Sequence, residues 1–159
     1  MKAKEEFIKG KHAINWVDSN FTKEYGEDEL TTGTVLKYKK LTRSMYDRNI
    51  IKEYNIQECT LGDVLETMKA ATSDMKDGYS NIFYVKGHPS HVVSVSWDGG
   101  EWRVRDWGRD DSMWRAGGRV FSSATSDTGS TSTGPLKPLA LPNEYCVCER
   151  CVKCKKLIA

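Results

Sequence analysis

The stretch HVVSVSWDGGEWRVRDW, residues 91–107, holds two alternating runs around an Asp-Gly-Gly centre. Val93, Val95 and Trp97 fall on one face of the first run, with Ser94 and Ser96 on the other. In the second run Trp102 and Val104 alternate with Arg103 and Arg105. A period of two is that of a half-buried strand. Asp98-Gly99 suits a type I′ turn, whose two central residues take positive φ. The stretch therefore reads as a β-hairpin.

Counting outward from Asp98-Gly99 pairs Trp97 with Gly100 and sets His91 against Asp106. A turn at Gly99-Gly100 sets Asp106 against Val93 instead and separates it from His91. Both registers stay open on sequence alone.

Around the hairpin, NIFYVKG (81–87) is rich in strand-forming residues, and GHPS links it to the hairpin as a turn. The result is an antiparallel meander, with VFSS (120–123) as a further short strand. Upstream, Thr60 and Asp63 form a capping-box pair ahead of Leu61, Val64, Leu65 and Met68, which recur at helical spacing to about Ala71. SMYDRNIIKEY (44–54) reads as a second helix, capped by Ser44, with Met45, Ile50, Ile51 and Tyr54 on its apolar stripe. TVLKYKKL (34–41) carries the interleaved lysines of an exposed edge strand. Residues 1–33 fit neither period. The expected fold is an α+β domain over residues 1–122, two helices on a small antiparallel sheet.

From Ser122 the composition turns to Ser, Thr, Gly and Pro, which cannot bury enough surface to offset ordering entropy. Residues 123–142 read as a flexible linker, and residues 143–159 as a separate cysteine-rich tail. There Cys146, Cys148, Cys151 and Cys154 give CxCxxCxxC, enough thiolates for a closed tetrahedral zinc site. The spacing is tighter than in common zinc sites, and an iron–sulfur cluster is the lesser alternative.

The chain has 159 residues, with 24 basic against 22 acidic, so a charge of +2 sets up no global field that demands nucleic acid or a membrane. No apolar run approaches the roughly 18 residues of a membrane span. MKAKEEFIKGKH has no apolar core of a signal peptide, so the expected location is the cytoplasm, with cysteines as thiols or metal ligands.

Four tryptophans (Trp97, Trp102, Trp107, Trp114) and five arginines (Arg103, Arg105, Arg109, Arg115, Arg119) crowd the hairpin and the residues after it. Trp and Arg are the residues of interface centres. Trp107, Arg103, Arg105 and Arg109 are the candidate binding set, for a protein partner first and nucleic acid second. Against this, Glu101, Asp106, Asp110 and Asp111 nearly cancel the cations, and Trp97 and Trp102 suit a core.

Cys59 stands just before the capped helix. A thiolate there would draw on the helix N-terminus and a nearby histidine. Cys59, His91 and Asp106 follow in the order helix, strand, next strand. This order resembles the transglutaminase-like and papain-like cysteine enzymes. The resemblance implies that Cys59 attacks an acyl or amide substrate, His91 acts as base and Asp106 orients it. Thr60-Leu61 departs from the small or polar residues usual after that nucleophile, and no oxyanion-hole residue is identifiable. The competing reading is a small buried cysteine. The TLGDVL helix, the meander, WRAGGRVFS (114–122) and the linker together also resemble small accessory proteins of tailed phages. That resemblance implies action by binding, in the host cytoplasm. The leading expectation is a non-enzymatic interaction protein with a Trp/Arg contact surface and a zinc-bound tail.

Overall fold

The structure, a computed structural model, describes residues 1–123. All but the first residue of the expected linker, and the whole cysteine tail, lie outside the described residues.

The hairpin forms as β4 (His91–Asp98) and β5 (Glu101–Gly108). Asp98 pairs with Glu101, so the turn is Gly99-Gly100, with φ of +63° and +89°. Two residues without Cβ take positive φ freely, whereas the other turn would impose it on an aspartate. The register is therefore the second of the two that the sequence allowed: Val93 opposes Asp106, and His91 opposes Gly108.

β3 (Asn81–Phe83) adds antiparallel to β4, completing the meander. Beyond it β6 (Arg119–Ser122) runs parallel to β3. β1 (Ile14–Val17) runs parallel to β5 on the other side. β2 (Lys37–Lys40) pairs antiparallel with β6 and forms an edge, all four residues exposed, as its lysines require. The sheet thus has six strands in the order β1-β5-β4-β3-β6-β2 and is mixed, where an antiparallel meander was expected. Four α-helices, not two, accompany it among the described residues: α1 (Ala3–Glu6), α2 (Ser19–Tyr25), α3 (Asp47–Glu53) and α4 (Leu61–Lys69). The fold is α+β.

The sheet is covered unequally. On one face Phe83, Val93, Val95, Trp102, Val104 and Phe121 pack with Phe7, Phe21 and Tyr25 and with the apolar stripe of α4. On the other, Ile82, Tyr84, Val92 and Val120 pack with Leu41, Met45 and Ile50. This second cluster stops short of β1 and the outer side of β5, where Trp16 and Trp107 stay 37 % and 38 % exposed.

The capping box of α4 is present as expected. Asp63 N–H donates to Thr60 Oγ1 at 3.1 Å, and Thr60 N–H to Asp63 Oδ2 at 2.9 Å. Asp63 Oδ1 also accepts from Thr34 N–H at 2.9 Å, so the cap tethers the chain before β2 to the helix. Glycine allows the approach: a Cβ on Gly62 would lie 2.1 Å from the Thr31 carbonyl oxygen.

Ser44 does not cap α3. Met45 is drawn instead into a two-way backbone bridge with Trp114, and the helix starts after Tyr46. Asp47, 1 % exposed, supplies what a cap would not. It accepts from Tyr84 Oη–H at 2.6 Å, Trp114 Nε1–H at 2.7 Å and Asp110 N–H at 2.7 Å. No helix among the described residues is long and apolar enough to cross a membrane.

Candidate functional site

The residues of the thiol-enzyme reading are brought together only in part. His91 Nδ1 lies 3.0 and 3.1 Å from the Asp106 carboxylate oxygens. The pair meets diagonally across the ladder, because two residues separate their directly opposed positions and both side chains share the helix-covered face. The orienting contact therefore exists in the register that was expected to remove it.

Cys59 is not part of that arrangement. It sits in an isolated parallel bridge beside Val85, with its N–H donating to the Tyr84 carbonyl and its carbonyl accepting from Lys86 N–H. It is 1 % exposed within the apolar cluster. Burial pushes the thiol up to about 12, the Asp63 charge adds to this, and Lys86 opposes it more weakly. No hydrogen bond joins its sulfur to His91 among the described residues, and the thiol is held neutral.

His91 is instead one link in a chain of alternating imidazoles and carboxylates. Its Nε2 lies 3.2 Å from Glu24 Oε1. Glu24 Oε2 lies 2.6 Å from His88 Nδ1, and His88 Nε2 lies 2.6 Å from Asp28 Oδ2. The Tyr25 ring packs tilted against the His88 ring, centroids 4.3 Å apart, and its hydroxyl is buried with no hydrogen-bond partner among the described residues. Burial alone would lower the His88 pKa, but hydrogen bonds to Glu24 and Asp28 outweigh it and hold the ring's pKa above its ordinary value. Burial raises the Asp106 pKa against the pull of His91. The chain ties α2 and the turn after it to β4 and β5. Glu24 is its centre, and His88, expected only as a turn residue, joins Glu24 to Asp28. Glu24 and Asp28 lie in the segment whose pattern was unreadable, so nothing in the sequence pointed to them.

The outward face of β5 carries the candidate binding residues. The Arg105 guanidinium lies 4.9 Å from the Trp16 ring and 5.9 Å from the Trp107 ring. Arg103 lies 5.6 Å from the same Trp16 ring and 3.7 Å from Asp98. Trp107 is fixed by its Nε1–H, which donates to Ser94 Oγ at 3.0 Å. Arg105 has no carboxylate partner among the described residues, whereas Arg103, Arg109 and Arg119 each have one. Arg109, placed in the same set on sequence, belongs elsewhere. Its Nε–H donates to the His91 carbonyl at 2.7 Å and it pairs with Glu58 at 3.0 Å, so it braces the loop before β4. Trp16 was missed because its strand is four residues long, too short to show a period.

Among the described residues no group of three or more His, Cys, Asp and Glu is arranged to hold a metal ion. The four tail cysteines lie outside those residues. Comparison of the chain with protein-family models, curated proteins and solved structures found no match.

Proposed function

We propose that this chain is a non-enzymatic interaction module that holds an acidic protein partner against the open face of β5. The observation that carries this reading is Arg105, set between two indole rings with no carboxylate among the described residues to neutralise it. A guanidinium resting on aromatic faces is already oriented, and its N–H edge is free to take a carboxylate in bidentate fashion. Pre-orientation reduces the side-chain entropy lost on binding. The half-exposed Trp16 and Trp107 add the large apolar area that interface centres use. The buried, neutral Cys59 gives a thiol reaction no comparable support.

In this reading the tail provides a second contact, with zinc held by Cys146, Cys148, Cys151 and Cys154. Two linked contacts raise affinity through effective concentration. The test uses the full chain as bait in three forms: unaltered, R103A/R105A, and K37A/K39A. A partner retained by the first and third and reduced at least tenfold by the second is the expected result. Equal recovery by all three would refute the reading. Substituting Cys146 and Cys151 with serine should release bound zinc, read by atomic absorption, and weaken recovery less than R103A/R105A.

A further inference from the structure

Trp107 borders more than the arginine face. It is also a wall of a pocket of about 240 Å³, shared with Tyr79, Met113, Trp114 and Arg115. Three of these stand out as exposed apolar groups: Trp107 at 38 %, Tyr79 at 40 % and Met113 at 47 %. The volume falls below the roughly 300–1,000 Å³ that encloses a small molecule, and suits one large side chain. Two indoles, a phenol ring and a thioether give apolar walls, and the unbranched methionine adapts to irregular shapes. Gly117 makes the Tyr79 wall what it is. At φ +99°, a Cβ there would lie 2.7 Å from the Tyr79 ring, so only bare backbone lets the ring lie against the chain.

Each of two pocket walls carries a cation. Arg105 lies 5.9 Å from the Trp107 ring, and Arg115 lies 6.0 Å from the Tyr79 ring. Neither arginine has a carboxylate partner among the described residues. The acids nearby are committed elsewhere: Asp77 to Arg119, Asp110 to Arg48, Asp106 to His91 on the other face. Asp111, whose carboxylate lies against Gly108, and Glu101, at the turn end of β5, are exposed without an ion-pair partner among the described residues. Next to the pocket the balance is one unpaired acid against two stacked cations.

From this geometry we infer that the pocket takes a bulky apolar side chain from a linear segment of the partner, flanked by Asp or Glu residues that meet Arg105 and Arg115. The inference rests on the binding face proposed above and names what that face recognises. Charge complementarity selects the acidic flanks, and the aromatic pocket selects the anchor. A single strand of nucleic acid would need open ring faces for its bases. Here guanidinium groups already rest against Trp16, Trp107 and Tyr79.

A displayed library of random 12-residue peptides, selected on the full chain, tests this directly. The expected outcome is a consensus with one Phe, Trp, Leu or Met flanked by at least two acids. Binding of a consensus peptide should fall tenfold or more with M113E, which sets a like charge at an exposed pocket wall, and at least fivefold with R115A. Both altered residues are surface groups, and an unchanged circular dichroism spectrum confirms their fold. No consensus, a basic consensus, or indifference to both substitutions would overturn the inference. So would tighter binding of a labelled random 20-nucleotide single strand measured in parallel. A natural partner lost with R103A/R105A but indifferent to M113E and R115A would leave the binding face standing and remove only the pocket's role. A partner indifferent to all of them would remove both.

Discussion

Replacing Asp47 alters a point where three donors converge, one from Tyr84 and two from the loop after β5. Its carboxylate is 1 % exposed and accepts from Tyr84, Trp114 and the Asp110 backbone. Asp47→Ala leaves all three donors without an acceptor. Each orphaned donor costs about 1–3 kcal/mol. Tyr84 is fully buried and stands at the upper end, while Trp114 and Asp110 are partly exposed and recover some hydration. The sum is roughly 3–6 kcal/mol, a large share of the 5–15 kcal/mol that holds a typical domain together. Asp47→Asn keeps one carbonyl oxygen for Tyr84 and Trp114 but turns an N–H₂ toward the Asp110 N–H. It should cost about 2–3 kcal/mol, the value of one charge-assisted hydrogen bond with a donor–donor conflict. Urea denaturation followed by circular dichroism reads both, through the midpoint at constant slope. Because Trp114 and Asp110 belong to the loop that walls the pocket, Asp47→Asn should also weaken binding of a consensus peptide. An asparagine variant within 0.5 kcal/mol of the parent, or an alanine variant no worse than asparagine, would refute the account of Asp47 as an acceptor hub.

Cys59 should resist alkylation in the folded chain at pH 8. A pKa near 12 leaves about one thiolate in ten thousand there, against roughly a quarter for a free thiol of pKa about 8.5; peptide-resolved mass spectrometry distinguishes it from the tail cysteines, and rapid labelling would overturn the buried assignment. Gly62→Ala, normally worth up to about 1 kcal/mol of stabilisation inside a helix, should here destabilise by about 1–3 kcal/mol, since its Cβ would lie 2.1 Å from a backbone oxygen; a raised melting temperature would contradict this. His88 has a folded pKa raised above its ordinary value of 6.5, so its stabilisation is full below that pH and is lost as pH rises through the folded pKa. The denaturation midpoint should therefore fall on the alkaline side, and His88→Gln should lower stability at pH 6 by about 1–2 kcal/mol and flatten that fall; a parallel curve would exclude a stabilising role for the His88 contacts with Glu24 and Asp28.

Legibility in the sequence followed the length of each element. The hairpin, the α4 capping box and the lysine edge of β2 each carry their signal within a few contiguous residues, and each is where it was expected. The first thirty-odd residues fold as pieces of four to seven residues. Such pieces are too short for a period to emerge, and their order is imposed by contacts with β5 and α4. The mixed character of the sheet follows from the same cause. β1 and β6 pair with strands far away in sequence, and nothing local to INWV or RVFS states which neighbour they take. The Trp/Arg set was half legible. Composition marked Arg103, Arg105 and Trp107, but only tertiary placement adds Trp16 and Tyr79 and turns Arg109 inward toward Glu58.

β5 shows how strongly one strand can divide chemistry. Trp102, Val104 and Asp106 point to the helix-covered face, where Asp106 meets His91. Arg103, Arg105 and Trp107 point the other way, to Trp16 and the pocket. A strand's period is two, so a slip of one residue would exchange the two sets and bury two guanidinium groups in an apolar core. The burial of unpaired charge makes that slip prohibitive. The glycine turn fixes the register from one end and the diagonal His91–Asp106 contact from the other. Separation by the sheet also means that the two faces should respond independently: groups more than about 7–10 Å apart with no shared partner have additive effects. His88→Gln combined with Arg105→Ala should then change stability by the first substitution's amount and partner binding by the second's, each within about 0.5 kcal/mol of its single-variant value. Coupling larger than that would mean that the imidazole–carboxylate chain and the binding face communicate through β5, and that protonation on one side of the strand is read on the other.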